Sequence, residues 1–128
     1  MDYQDLNELT YNINGAIFEV NRVLGGGFLE KVYEKALLVE LSIRGLNAAG
    51  QVPLKVFYKE NIVGDYVADI LVENQIILEL KTVDEIQKIH EAQLINYLKA
   101  IGLKIGLIVN FKHPRAEIKR LVYELQES

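Results

Sequence analysis

The sequence predicts an α/β protein built on a mixed β-sheet flanked by helices. Three observations lead there. Apolar residues recur at helical spacing over the first third of the chain, then at a period of two from about 52 to 83. After one more helical stretch, residues 105–109 are almost wholly apolar, as in a strand covered on both faces. The order helix, helix, three strands, helix, strand needs hairpins among the first three strands and a parallel crossover through the last helix.

Taken in order, Leu6, Leu9, Ile13, Ile17, Val20 and Leu24 recur at threes and fours and predict a helix over about 6–24. Gly25, Gly26 and Gly27 break it, because three glycines lose too much backbone freedom in a helix. A second helix is expected over about 28–44, stopping at Gly45, with Leu29, Val32, Tyr33, Ala36, Leu37, Val39 and Ile43 on its apolar face. Strands come next at 52–59, 63–72 and 76–83, separated by a turn at Glu60-Asn61 and a loop at Glu73-Asn74-Gln75. A third helix should span 85–101 and end at Gly102. Residues 117–123 fit an edge strand better than a short helix.

With 128 residues and neither linker nor repeat, the chain reads as one domain. It has no cysteine, which excludes disulfides, thiolate metal sites and cysteine nucleophiles. Its acidic, polar start does not read as a signal peptide, and no apolar run nears the roughly 18 residues of a membrane span. A cytoplasmic protein that leaves the membrane alone is expected. The net charge of −4 argues mildly against nonspecific nucleic-acid binding. That charge is uneven, however: residues 81–120 hold eight Lys/Arg against four Asp/Glu, the remainder six against fourteen. A basic second half can face phosphates while an acidic patch holds cations.

The second hairpin carries the chemistry. Alternation places Asp69 on a face with Val67 and Leu71, and Glu79 on a face with Lys81. If the loop is Glu73-Asn74-Gln75, Ile76 pairs with Val72 and Asp69 lies opposite Glu79. Directly opposed Cβ atoms stand about 4.5–5.5 Å apart, where like charges repel. A divalent cation relieves the repulsion, and so does a shared proton with one raised pKa. A register slip of one residue would instead send the two acids to opposite faces. A third reading makes Glu79 and Lys81 a plain ion pair on a solvated face.

On the third helix, Gln93 projects into the middle of a stripe made by Ile86, Ile89, Tyr97, Ala100 and Ile101, with His90 beside it. A buried glutamine needs partners, so Gln93 is expected to point at something polar, whether a backbone carbonyl or a bound group. His90 reads as an ordinary interior histidine. Glu30 sits at the margin of the second helix's apolar face, in a first turn that also suits the helix dipole.

Asp69, with Glu79-Leu80-Lys81 ten residues later, resembles the Asp…Glu-x-Lys core of the PD-(D/E)xK nuclease superfamily. Gly27-Phe28-Leu29-Glu30-Lys31-Val32-Tyr33 resembles the Gly-x-x-Glu-x-x-Tyr signature of the small GxxExxY family within it. Gln93-Leu94-Ile95-Asn96-Tyr97 resembles the Gln-x-x-x-Tyr motif of RecB-like members, and the apolar strand ending in Asn110-Phe111 is similar too. Ala68 stands where many members have proline, a departure the superfamily tolerates.

The resemblance implies a restriction-endonuclease-like core, α-β-β-β-α-β, with an extra N-terminal helix. It implies metal-dependent hydrolysis of phosphodiesters in nucleic acid, DNA foremost. Glu30, Asp69 and Glu79 would carry Mg²⁺ or Mn²⁺, with the backbone carbonyl of Leu80 as a further ligand. Lys81 would position or deprotonate the attacking water, or stabilise developing charge. Gln93 and Tyr97 would orient the metal-bound groups or the nucleic acid, and Tyr33 would pack the helix. Many small members pair, so a homodimer is a further expectation. The alternative is a fold retained for nucleic-acid or protein binding without turnover, which the small size and acidic balance favour.

Overall fold

The computed structural model describes residues 1–124. Helix α1 (Tyr3–Leu24) begins where the Asp2 side chain accepts the Asp5 N–H at 2.8 Å. After the glycine break, Gly27 at a φ of 101° makes the bend into α2 (Glu30–Ile43). Then come β1 (Ala48–Tyr58), β2 (Asn61–Val72), β3 (Ile76–Lys81), α3 (Lys88–Ile101), β4 (Ile105–Asn110) and β5 (Glu117–Val122). The five strands lie side by side in chain order, all neighbours antiparallel except β3 and β4, which run parallel across the α3 crossover. This is the mixed sheet the pattern predicts, and residues 117–122 form its edge.

Two apolar layers sandwich the sheet. Leu6, Ile13, Ile17, Tyr33, Leu37 and Leu41 from α1 and α2 cover Ile70, Ile76, Leu78, Leu80, Leu107 and Val109 on one face. Leu94, Tyr97 and Leu98 of α3 cover Leu54, Ala68, Ile77 and Ile108 on the other. Helix α3 sits close because β4 has Gly106 beneath it: a Cβ there would lie 2.8 Å from the Leu94 methyls. Strands β3 and β4, covered on both sides, are buried almost throughout.

Three expectations need correction. Helix α3 starts at Lys88, not near 85, because Gln87 and His90 form a reciprocal cap, with His90 Nδ1 accepting the Gln87 N–H at 3.0 Å. His90 is therefore a capping residue. The wide apolar face expected of α2 is buried only along Tyr33, Leu37 and Leu41, while Leu29, Val39 and Ile43 are exposed. Strict alternation also fails, at a register shift between Val56 and Phe57 and again near Asp69. Ala68 packs in the α3 layer and Ile70 in the α1–α2 layer, although two residues apart they should share a face. Opposite this point Gln51 takes a φ of 53°, and the paired ladder passes from Gly50–Ile70 directly to Val52–Ala68. Asp69 is the residue left opposite Gln51 at this step.

Candidate active site

The register of β2 and β3 pairs Val72 with Ile76, Leu71 with Ile77 and Ile70 with Leu78. One step further would set Asp69 against Glu79, but the ladder stops there. Strand β3 continues along β4 instead, up to Lys81 opposite Asn110. The parting strands leave the Leu80 N–H without a carbonyl, and the Asp69 carboxylate fills the place, its Oδ2 accepting that proton at 2.8 Å. Asp69 is half-buried, and its carboxylate bridges the seam.

Glu79 is 9% exposed, and its Oε1 is buried with no hydrogen-bond partner. Burial, and after it the Asp69 carboxylate within hydrogen-bonding reach, push its pKa up to about 9; the Lys81 ammonium and the Asp69 backbone N–H pull only weakly the other way. At neutral pH the carboxyl keeps its proton. A buried carboxylate oxygen without a donor is rare, because a lost hydrogen bond costs about 1–3 kcal/mol. Asn14 Oδ1 and Asn21 Nδ2 are likewise buried without a partner; what sets Glu79 apart is the second carboxylate against it.

Lys81 lies two residues along β3, on the same side as Glu79. From α3, Tyr97 is 7% exposed, and burial first, then the charge of Glu79, raises the pKa of its hydroxyl. Gln93 does not occupy the buried stripe expected of it. It is exposed, and its Nε2 donates to the Tyr97 hydroxyl at 2.9 Å. The face of α3 that packs is centred on Leu94 and Leu98, about 100° around the helix from Gln93.

Across the seam, Glu30, Lys31, Glu34, Gln51, Asp69 and Leu80 line an open cleft of about 240 Å³. Glu30, the first residue of α2, is exposed; its Oε2 accepts the Thr82 N–H at 3.2 Å and the Thr82 hydroxyl at 3.4 Å. Glu34, one turn on, is buried and accepts from Gln51 Nε2 at 2.5 Å. Sequence reasoning missed Glu34, although its i+4 spacing from Glu30 puts both on one helix face. Among the described residues, no group of three or more His, Cys, Asp or Glu side chains is gathered to hold a metal ion. Asp69 and Glu79 come together; Glu30 shares the cleft with Asp69 but is engaged with Thr82.

The donors that do converge suit a hard divalent cation: two carboxylates, one with an orphaned oxygen, beside the backbone of Leu80. Mg²⁺ is commonly held by one or two carboxylates, with waters and substrate phosphates completing its shell. The residues present fit the ion.

Two buried residues brace the arrangement. The Tyr33 hydroxyl donates to the Gly25 carbonyl at 2.6 Å and accepts the Phe28 N–H at 3.2 Å, while its ring stacks on Phe111 at 4.3 Å. It thereby ties the glycine loop to the start of α2, where Glu30 sits. Asn110 receives the Val83 N–H at 3.1 Å and donates to the Val83 carbonyl at 2.7 Å, fixing the chain just past Lys81.

Residues 7–121 match the family profile described as the PD-(D/E)XK nuclease superfamily. The chain belongs to that superfamily. Its members generally use divalent metals and act on nucleic acid. No curated protein matches the chain. Among solved structures, "Crystal structure of SSO0001" is similar with a TM-score of 0.57 at 20% identity, over 75% of this chain and 50% of that one. The chain thus spans half the length of that relative, and likeness at this identity speaks for the fold alone. No helix among the described residues is long and apolar enough to cross a membrane.

Proposed function

We propose that this superfamily member is a Mg²⁺- or Mn²⁺-dependent nuclease of the GxxExxY family, acting in the cytoplasm on nucleic acid and foremost on DNA. The observation behind this is the buried Glu79 carboxyl, one oxygen unpaired, held against Asp69 with Lys81 on the same side of the strand. Asp69, Glu79 and the Leu80 carbonyl would hold the cation, with Glu30 reaching it from the opposite wall of the cleft. The cation supplies Lewis acidity, neutralising phosphate charge and making water more acidic. Lys81 Nζ orients the attacking water and stabilises negative charge as it grows on the phosphate. Tyr97, held by Gln93, offers its hydroxyl proton to a phosphate oxygen or to the carboxyl pair.

The test is cleavage of plasmid, single-stranded and branched DNA in Mg²⁺ or Mn²⁺, with Lys81→Ala beside the wild type. Cleavage by the wild type and its loss in the variant support the reading. Equal activity in both marks a contaminant and overturns it.

A non-catalytic binding module is the second reading, favoured by the engagement of Glu30 with Thr82 away from the acid pair. Calorimetric titration separates the two: no heat at millimolar Mn²⁺ with DNA binding intact supports the module. Pairing of two copies belongs to the same proposal. Leu29, Val32, Val39 and Ile43 are exposed apolar residues along the outer side of α2, a surface a second copy could cover. A monomeric mass that Val39→Glu leaves unchanged would remove that part.

A further inference from the structure

A second cavity opens on the α3 side of the sheet. It holds about 680 Å³ between the outer end of the β1–β2 hairpin and α3, a size typical of ligand sites. Phe57 and Tyr66 form the hairpin wall; Ile89, Gln93, Tyr97 and Lys99 belong to the helix wall. Phe57 is 60% exposed and Tyr66 46%, so neither ring serves the core. The Tyr66 ring lies 5.5 Å from that of the buried Tyr97, tilted by 49°, and Tyr66 is the open one of the two. From Ile89 to Lys99 the helix wall runs about 15 Å at 1.5 Å per residue.

Position gives this surface its meaning. Tyr97 lines the groove and packs in the same apolar layer as Ala68, the residue just before Asp69. Tyr66 stands three residues before Asp69 on β2, about 10 Å along the strand, so a ligand laid along the groove toward the β2–β3 seam approaches the acids. Aromatic faces, amides and a lysine together suit stacked bases on a charged backbone. An apolar peptide would make no use of Lys99 or of the path to the carboxyl pair. A duplex hides its base faces, so it cannot use the rings.

We propose that the hairpin–α3 groove is a stacking subsite for the unpaired bases of single-stranded nucleic acid, delivering a single strand or a frayed end to the acid pair. This names the substrate class of the proposed nuclease, and it rests on that reading for the cleavage that comes after binding.

The test separates the two. Anisotropy of a short fluorescein-labelled oligothymidine, and of its duplex with oligoadenine, is read in EDTA so that turnover does not intrude. Wild type is compared with Phe57→Ala/Tyr66→Ala, whose exposed positions spare the core; circular dichroism checks its fold. The single strand should bind about tenfold tighter than the duplex, and the double variant should abolish that preference. Equal binding of strand and duplex, or an unchanged preference in the variant, overturns the subsite. Self-association lost in the variant, without oligonucleotide binding, assigns the groove to a second copy and also overturns it. If single-strand binding holds while no metal supports cleavage, the subsite stands and the nuclease reading falls. If cleavage holds without single-strand preference, the reverse is true.

Discussion

Asp69 gives one carboxylate oxygen to the Leu80 N–H at 2.8 Å, while Glu79, the residue just before Leu80, keeps a buried oxygen unpaired. One acid is thus a structural bridge between parting strands, and the other stands against it largely stripped of water. The two should respond differently to substitution.

Asp69→Ala removes the acceptor offered to the Leu80 N–H and should destabilise the fold by about 1–3 kcal/mol. Asp69→Asn keeps a side-chain oxygen for that proton and should retain most of the stability while weakening Mn²⁺ binding. Urea denaturation paired with calorimetry reads both. Equal loss of stability in the two variants would remove the bridge from the explanation.

Glu79 makes stability fall with pH. Its carboxyl is protonated in the folded chain up to about pH 9 and titrates near the ordinary 4.5 once unfolded. The folded state therefore holds more protons across that window. The contribution is complete below 4.5 and is lost as pH rises through about 9. In EDTA, Glu79→Gln should flatten this part of the melting-temperature profile and leave the variant more stable than wild type at the alkaline end. Parallel profiles for the two proteins would contradict a proton held on Glu79.

Metal addition should displace the same proton. At neutral pH, Mn²⁺ binding by wild type should release close to one proton, seen as heat that varies with the ionisation enthalpy of the buffer. The dependence should vanish in Glu79→Gln. Removing the ion with EDTA should restore the metal-free stability profile.

Tyr33→Phe keeps the stack on Phe111 but deletes the hydroxyl that serves the Gly25 carbonyl and the Phe28 N–H. It should cost about 1–2 kcal/mol in chemical denaturation, whereas Tyr33→Ala, which also empties a buried site, should cost about 3–5 kcal/mol. A neutral Tyr33→Phe would show that the glycine loop is held by packing alone.

Periodicity in the sequence was enough to order the elements, to assign β5 as a strand, and to set the hairpin register through Val72 and Ile76. These are local matters: helix and strand periods and a loop of three residues decide them. Asp69, Glu79 and Lys81 stood out because charged residues interrupt apolar strands. Tertiary packing decided the rest. Gln93 is exposed because the helix beds on Leu94 and Leu98; Glu34 is buried because β1 brings Gln51 against it; Leu29, Val39 and Ile43 of the α2 apolar face stay in solvent because α1 and the sheet fully cover only Tyr33, Leu37 and Leu41, with Ala36 and Leu38 at the margin. A sequence shows which faces a helix has, but only its neighbours determine which face loses water. The positive φ of Gln51 opposite Asp69 and the Asp69 bridge to the Leu80 N–H depend on long-range pairing that no local spacing encodes.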